Sequence, residues 1–405
     1  YMDDPTICLN MIVKNEADII IDTLKNIIEK MPIHYWVICD TGSDDNTPYL
    51  IKKFFKEKGI SGELINSEWK DFAYNRTIAL DNAYKKTDFV FVFDADDRIV
   101  GNITLPKLEK GCAYLMNFGS TLQFKRIPLL CNNIKWYYEG VMHELITTKE
   151  KFTHKSVEGD YHIATNVVLS ARNKKGDDKY YEDAEILVKA YQKNDNMQAR
   201  YGFYAGECYR FAGREYWDKS IEWYIKAANE EKQWPQERYW SCYQLGNLYN
   251  ELGEHEKAWY WYYKSNEFDE CRGEALFELI KKCREKNMFK QGEIYFNMLK
   301  LCENQEKIHR LFLNNNIHEH SIYSEMLVIY YYLKNIDKAN EMLLKIFMAN
   351  YADPIYINMT NNNLKHFIEH INKDNWEFYG KFKRYCNKFD VPEELIKDID
   401  KLFIE

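Results

Sequence analysis

Four consecutive residues, Asp94-Ala95-Asp96-Asp97, gather three carboxylates at the end of a strongly apolar, β-forming run, DFVFVFD at 88–94. Ionised carboxylates at the end of a buried strand repel one another, and a hard divalent cation with oxygen ligands relieves that repulsion. Such an ion also bridges to a diphosphate, so the chemistry on offer is metal-assisted transfer from a phosphate-bearing substrate. Side chains alternate along an extended segment, which puts Asp94 and Asp96 on one side, facing one ion. For the tetrapeptide taken alone, a solvated acidic turn is the competing reading.

A cluster of this kind needs a rigid edge behind it. Residues 6–13 (TICLNMIV) read as a buried strand, and Asn15 begins a helical pattern that it can cap, with Asp18 in the first turn. A second strand at 35–40 runs into the turn-rich 41–46, and Thr47-Pro48 opens a helix to about residue 57. A strand at 62–67, a helix at 72–85 and the strand at 88–94 complete the order β-α-β-α-β-α-β. That order predicts an α/β domain with a mostly parallel mixed sheet and helices on both faces. Ligands on such sheets bind at the carboxyl ends of strands, where the polar clusters 10–16, 40–45 and 94–97 all fall. Shorter β-type stretches at 113–118, 122–129 and 136–146 read as an antiparallel extension of the sheet.

The second half of the chain is helical and repetitive. Tyr204-Ala-Gly-x-x-Tyr209-x-x-x-Gly213 recurs as Gln244-Leu-Gly-x-x-Tyr249-x-x-x-Gly253, a shift of forty residues. Ser220, Tyr224 and Ala227 match Ala258, Tyr262 and Ser265 in the same way. The small, tyrosine and glycine positions are those of a tetratricopeptide repeat, in which stacked neighbours bury the faces that one helix pair leaves open. The expectation is four tetratricopeptide-like units and a capping helix pair at about 373–403. The domain boundary is expected near Gly176, giving 1–176 and 177–405.

Four blocks, N10-M-I-V-K-N-E16, D40-T-G-S-D-D-N-T47, D71-F-A-Y-N-R76 and F93-D-A-D-D97, resemble family 2 glycosyltransferases of the GT-A fold in order and spacing. The resemblance continues through G140-V-M-H-E-L145, S170-A-R172 and D178-K-Y-Y-E-D-A184 into the repeats, as in a branch that joins this transferase to C-terminal tetratricopeptide repeats. It implies that Asp40 accepts a hydrogen bond from a nucleobase imide, and that the loop from Met11 to Glu16 wraps the nucleoside, with Asn15 and Glu16 contacting it or only capping the helix. Arg76 would reach the diphosphate or pair with an acidic strand end. Where the family commonly reads A-R-N, this chain has Asn75-Arg76-Thr77. Asp94 would contact ribose or metal, Ala95 lies between, Asp96 would be the principal metal ligand, and Asp97 supports the site. A further ligand is expected from His162 or His143. Sugar transfer passes through an oxocarbenium-like transition state and needs a base for the acceptor. Glu144, Glu139 and Asp160 are the candidates, with Glu144 first and Asp160 as its main competitor; an extended segment would turn His143 to the opposite face. Trp136, Tyr137 and Tyr138 are candidates for stacking on a sugar.

The bulk numbers leave room for this reading and close others. Net charge is −8 with no basic block, which argues against nucleic acid as a partner. No run reaches the ~20 apolar residues of a membrane span, and no basic-then-apolar leader opens the sequence, so a soluble, cytoplasmic protein is expected. The ten cysteines include no CxxC pair and read as core thiols of a reducing compartment. The functional expectation is a metal-dependent transfer, with Mn2+ or Mg2+, of a hexose or N-acetylhexosamine from a UDP-sugar to an acceptor hydroxyl, with inversion. The acceptor, whether glycan, protein or small molecule, is left open and would be held by the repeats. The rivals are a catalytically degenerate transferase serving as a repeat scaffold, and a nucleotidyltransferase, for which no glycine-rich phosphate loop is present.

Overall fold

The structure is a computed structural model and describes residues 4–165, 178–193, 195–299 and 309–404. It divides into two compact units, Tyr1–Lys232 and Gln233–Glu405. The boundary expected near Gly176, and the block at 170–172, lie outside the described residues.

The first unit opens with β1 (Ile7–Val13), α1 (Ile20–Lys30), β2 (Tyr35–Asp40), α2 (Thr47–Lys58), β3 (Gly62–Asn66), α3 (Phe72–Ala83) and β4 (Phe89–Val92). These strands pair in parallel in the order β3-β2-β1-β4, as the alternating pattern predicts. Strand β4 is buried at all four positions, because helices cover both faces of a parallel sheet. Asn10 sits inside β1, where its amide donates to the carbonyls of Val37 (3.3 Å) and Ala79 (2.9 Å), tying β1 to β2 and α3.

Beyond β4 the chain adds β5 (Arg98–Gly101), β6 (Cys112–Phe118), β7 (Leu122–Cys131), β8 (Tyr137–Glu139), β9 (Leu145–Thr147), β10 (Thr153–Ser156) and β11 (Tyr161–Ala164). β7 pairs antiparallel with β4 and β6, so the extension expected from the sequence is present. The stretch 136–146 is not one strand. It folds into the antiparallel hairpin β8–β9, whose turn at 140–144 has left-handed backbone at Gly140 (φ 109°) and His143 (φ 50°). Gly140 allows that bend, since a backbone at positive φ strains any residue with a Cβ.

The capping expected of Asn15 is also different. Helix α1 starts at Ile20 without a side-chain cap, and Asn15 takes a left-handed conformation (φ 56°) in the loop before it.

Three helices close the first unit: α4 (Asp178–Tyr191), α5 (Gln198–Ala212) and α6 (Trp217–Asn229). The second unit holds α7 (Pro235–Glu251), α8 (His255–Ser265), α9 (Glu274–Glu285), α10 (Phe289–Met298), α11 (Ile322–Tyr332), α12 (Ile336–Phe347), α13 (Pro354–Phe367), α14 (Trp376–Cys386) and α15 (Glu393–Ile404). The repeated glycines have one physical role. A Cβ on Gly206 would sit 2.9 Å from the Tyr224 ring of α6, and one on Gly246 would sit 2.4 Å from the Tyr262 ring of α8. The bare backbone therefore admits the tyrosine of the paired helix in both copies.

Among the described residues no helix is long and apolar enough to cross a membrane. Among the described residues eight cysteines are free thiols, but Cys271 is disulfide-bonded, contrary to the uniform thiol expectation.

His320 lies fully buried in the second unit, with Nε2 3.1 Å from the Tyr385 hydroxyl and Nδ1 3.2 Å from Ser324 Oγ. Burial pushes its pKa down to about 4. The unfolded chain, at about 6.5, binds that proton first. The stability His320 contributes is therefore complete above pH ~6.5 and is lost as pH falls toward 4, about 2 kcal/mol of it by pH 5. Denaturant unfolding at pH 7 and pH 5 should show this extra loss in the parent chain and not in His320→Gln. Equal losses in both would acquit His320.

Candidate functional site

Pairing register fixes which residues share the carboxyl edge. Val13 lies opposite Asp40, Asp40 opposite Asn66, and Asn10 opposite Val92, just before Asp94. The ends of β2 and β4 are separated by β1, so Asp40 and Asp94 stand about 10 Å apart at ~4.8 Å per strand.

The acidic segment is a turn rather than an extended run. The Asp97 amide donates to the Asp94 carbonyl at 3.2 Å, and Thr23 Oγ1 of α1 donates to the Ala95 carbonyl at 2.8 Å. Asp94 and Asp96 are half-buried while Ala95 and Asp97 are buried, and the extended geometry expected from alternation is replaced by the turn. Asp97 is held well above the usual carboxylate range by burial, then by the charge of Asp94, with Asp96 adding to it and Arg126 and Arg76 opposing. Asp97 thus bears the local cost of crowding beside two half-buried carboxylates.

Arg76 projects from α3 into the middle of the site. Its Nη1 lies 2.6 Å from Asp94 Oδ1, and its Nε lies 2.7 Å from Glu144 Oε1. The second approach is an ion pair without hydrogen-bonding alignment, since Nε has no hydrogen-bond partner. Burial opposes the charge on Arg76, but Asp94 and then Glu144 outweigh it and hold the guanidinium protonated. The guanidinium carbon is 5.7 Å from the centre of the Tyr138 ring, and the Tyr138 amide donates to Thr77 Oγ1 at 2.9 Å, fastening β8 to α3. Burial, with help from Glu144 and Asp94 against Arg76, raises the Tyr138 phenol far above its ordinary pKa.

On the other side of β1, the two loops before α1 and α2 are laced together. Asn15 donates its amide to Ser43 Oγ (2.9 Å) and accepts from the Asp44 amide (2.9 Å). The Glu16 amide donates to Thr47 Oγ1 at 2.8 Å, and the Ala17 amide to Asp45 Oδ2 at 3.1 Å. Asp40 accepts from the Ser43 hydroxyl (2.6 Å) and amide (3.2 Å) through Oδ1. Asn15 and Asp40 thus shape the rim, and Asp40 Oδ2 keeps acceptor capacity beyond a 3.3 Å approach from the Ser43 amide.

The structure separates the remaining candidates. Glu144 meets Arg76, whereas Asp160 is exposed, its carbonyl accepting from Asn102 beyond the far end of β5. His162 pairs with Val100 in the β5–β11 ladder, four residues along from Asp96, a separation of at most about 13 Å at ~3.3 Å per residue. His143 stacks on Tyr204 with ring centres 3.8 Å apart and planes 7° apart. Among the described residues, no three His, Cys, Asp or Glu side chains converge into a ligand set. Asp94 and Asp96 are oxygen donors of the kind a hard divalent ion would take.

Residues 8–111 match the family model described as glycosyl transferase family 2. They are a family 2 glycosyltransferase domain. The chain is a glycosyltransferase on that ground. The matched segment carries Asp40, Arg76 and the 94–97 turn, and ends before Glu144. No curated protein matches the chain. Among solved structures it is similar to the mannosyltransferase PcManGT from Pyrobaculum calidifontis in complex with GDP-Man and Mn2+, at 12% identity and TM-score 0.35 over 73% of this chain and 84% of that one. It is similar to S. aureus TarS 1-349 in complex with UDP at 13% identity and TM-score 0.27, over 65% and 88%. A tetratricopeptide repeat protein from Parabacteroides merdae matches at 17% identity and TM-score 0.32, over 57% and 98%. At TM-scores below 0.5 these likenesses assign neither substrate nor metal.

Arg126 escaped the sequence reading altogether, and Asn75 was read there without a role. Arg126 on β7 offsets the charge around Asp97, and its guanidinium lies 4.9 Å from the Phe118 ring. Nothing in its local sequence points to the site. Asn75, beside Arg76, is buried and pins the loop before α3: its Oδ1 accepts from the Lys70 amide (3.0 Å) and its Nδ2 donates to the Glu68 carbonyl (3.0 Å). Its role is to set the start of α3 and hence the height of Arg76.

Proposed function

We propose that the chain transfers a hexose or N-acetylhexosamine from a UDP-sugar to an acceptor hydroxyl, with inversion and with a divalent ion at Asp94 and Asp96. The observation that carries this is Arg76, set between Asp94 and Glu144 at the carboxyl edge of a family 2 domain. The ion, Mn2+ or Mg2+, supplies positive charge against the leaving diphosphate. Arg76 is the protein's own cation beside it and adds charge stabilisation where the leaving group develops its charge. Glu144 takes the acceptor proton as the acceptor oxygen bonds to the anomeric carbon and the bond to the diphosphate breaks. Inversion follows from a single displacement with one base, and Asp160 stands too far along the β5–β11 ladder to share that task.

A thermal-shift panel of UDP-, GDP- and CDP-sugars, with and without Mn2+, tests the donor. Stabilisation by UDP-sugars that needs Mn2+ is the expected result. No shift with any nucleotide would favour a degenerate transferase serving as a scaffold.

Asp40 gives a finer test. With Oδ2 accepting from the uracil imide, Asp40→Ala should weaken UDP roughly tenfold and free pyrophosphate hardly at all, as loss of one charged hydrogen bond costs about 1.5–3 kcal/mol. Ser43→Ala, which removes the partner that orients Asp40, is the control. Equal weakening of both ligands would reduce Asp40 to a loop-shaping residue.

A further inference from the structure

The loop that carries Glu144 is gripped by one face of a helix far along the chain. Met197, just before α5, and Arg200, Tyr201 and Tyr204 within it follow the i, i+3, i+4, i+7 spacing that lines up a single face. Each of the four meets the 140–144 turn. Arg200 Nε donates to the His143 carbonyl at 2.8 Å, and the Tyr201 hydroxyl accepts from the Val141 amide at 3.3 Å. Tyr204 stacks on the His143 ring at 3.8 Å, and the Arg200 guanidinium lies 4.8 Å from the centre of the Tyr204 ring. Met197 Cε lies 3.0 Å from where a Cβ on Gly140 would stand.

These contacts bear on an unusual piece of backbone. His143 is a non-glycine residue at φ 50°, a conformation that costs on the order of 1–2 kcal/mol and persists only where the surroundings impose it. The carbonyl held by Arg200 belongs to the peptide unit whose nitrogen is that of Glu144. Fixing that plane fixes where the Glu144 side chain leaves the backbone. The same positions in the next repeat, forty residues on, are Glu237, Trp240, Ser241 and Gln244, so this face is not part of what the repeats share.

We propose that Arg200 and Tyr204 are positioning residues of the transfer site, making the first repeat helix a working part of the transferase. The proposal rests on the reading of Glu144 as the base. Arg200 sets the 143–144 peptide plane and Tyr204 clamps the His143 ring; together they hold Glu144 against Arg76.

The test uses the full-length chain. Arg200→Met keeps an aliphatic stem on Tyr204 but loses the donor to the His143 carbonyl. It should lower kcat by about 10- to 100-fold, the range in which ångström-scale misplacement acts, with UDP affinity in calorimetry changed less than twofold. Arg200→Lys, which restores a donor, should recover most of that loss. In a Glu144→Gln background Arg200→Met should cost almost nothing more, because a misplaced amide and a well-placed one are equally unable to take the proton. Full additivity of the two substitutions, or unchanged kcat in a folded Arg200→Met, would overturn the proposal. If Arg200→Met does not fold, Tyr204→Leu removes the stack and is held to the same outcomes.

Hydrogen exchange keeps the two readings apart. Should Glu144→Gln turn over normally, the base assignment fails by itself, and the clamp is then judged by amide exchange at 141–144. Exchange at least tenfold faster in Arg200→Met upholds it, and unchanged exchange refutes it.

Discussion

Glu144→Gln should leave UDP-sugar binding intact and lower turnover by about a hundredfold or more, the scale on which positioned general bases act. The amide has the same shape and can still sit beside Arg76, so loss of turnover would not be a folding effect. It removes one of the two negative charges that oppose burial of Arg76, and leaves the Asp94 pair at 2.6 Å to hold the guanidinium. Steady-state kinetics with a UDP-sugar donor, together with calorimetric UDP affinity, give both quantities. The control is Asp160→Asn, which should be silent because Asp160 is exposed beyond the far end of β5. A silent Glu144→Gln with an inactive Asp160→Asn would transfer the role to Asp160. If neither slows transfer, the anomeric proton signal of the product distinguishes a retaining course from a base elsewhere.

The second large effect belongs to Asp96. Asp96→Asn should remove most of the Mn2+-dependent part of UDP affinity while the fold melts within a few degrees of the parent. With no third ligand converging on the turn among the described residues, loss of one carboxylate halves the protein's anionic donors. The same substitution lessens the crowding around Asp97, whose raised pKa owes part of its cause to Asp96. The variant is therefore expected to be no less stable than the parent in metal-free buffer. Calorimetric titration of UDP with Mn2+ and with chelator measures the coupling directly. Equal affinity in both buffers for the parent chain would dispose of the metal assignment altogether.

The sequence by itself determined the parallel half of the sheet. A four-residue run such as 89–92, apolar on every residue, has only a doubly covered strand to occupy, and the order of strands and helices then fixes which ends share an edge. It placed Asp40 and the carboxylates of 94–97 at strand ends on that edge and marked the repeat through Gly206 and Gly246, whereas the tyrosine rings packed on those glycines came from the tertiary structure. Tertiary structure alone decided which side chains meet. Period-2 reasoning made 136–146 one strand, but left-handed backbone at Gly140 and His143 folds it into a hairpin, and that turn delivers Glu144 to Arg76. Asn15 looked like a helix cap because its type and place suit one, yet its partners are Ser43 and Asp44 across a loop. His143 looked like a ligand until a tyrosine sixty-one residues later was found stacked upon it. Local pattern encodes periodicity and backbone preference, which act within a few residues. Ion pairs and ring stacks between distant segments depend on how elements dock, and no short window of sequence contains that.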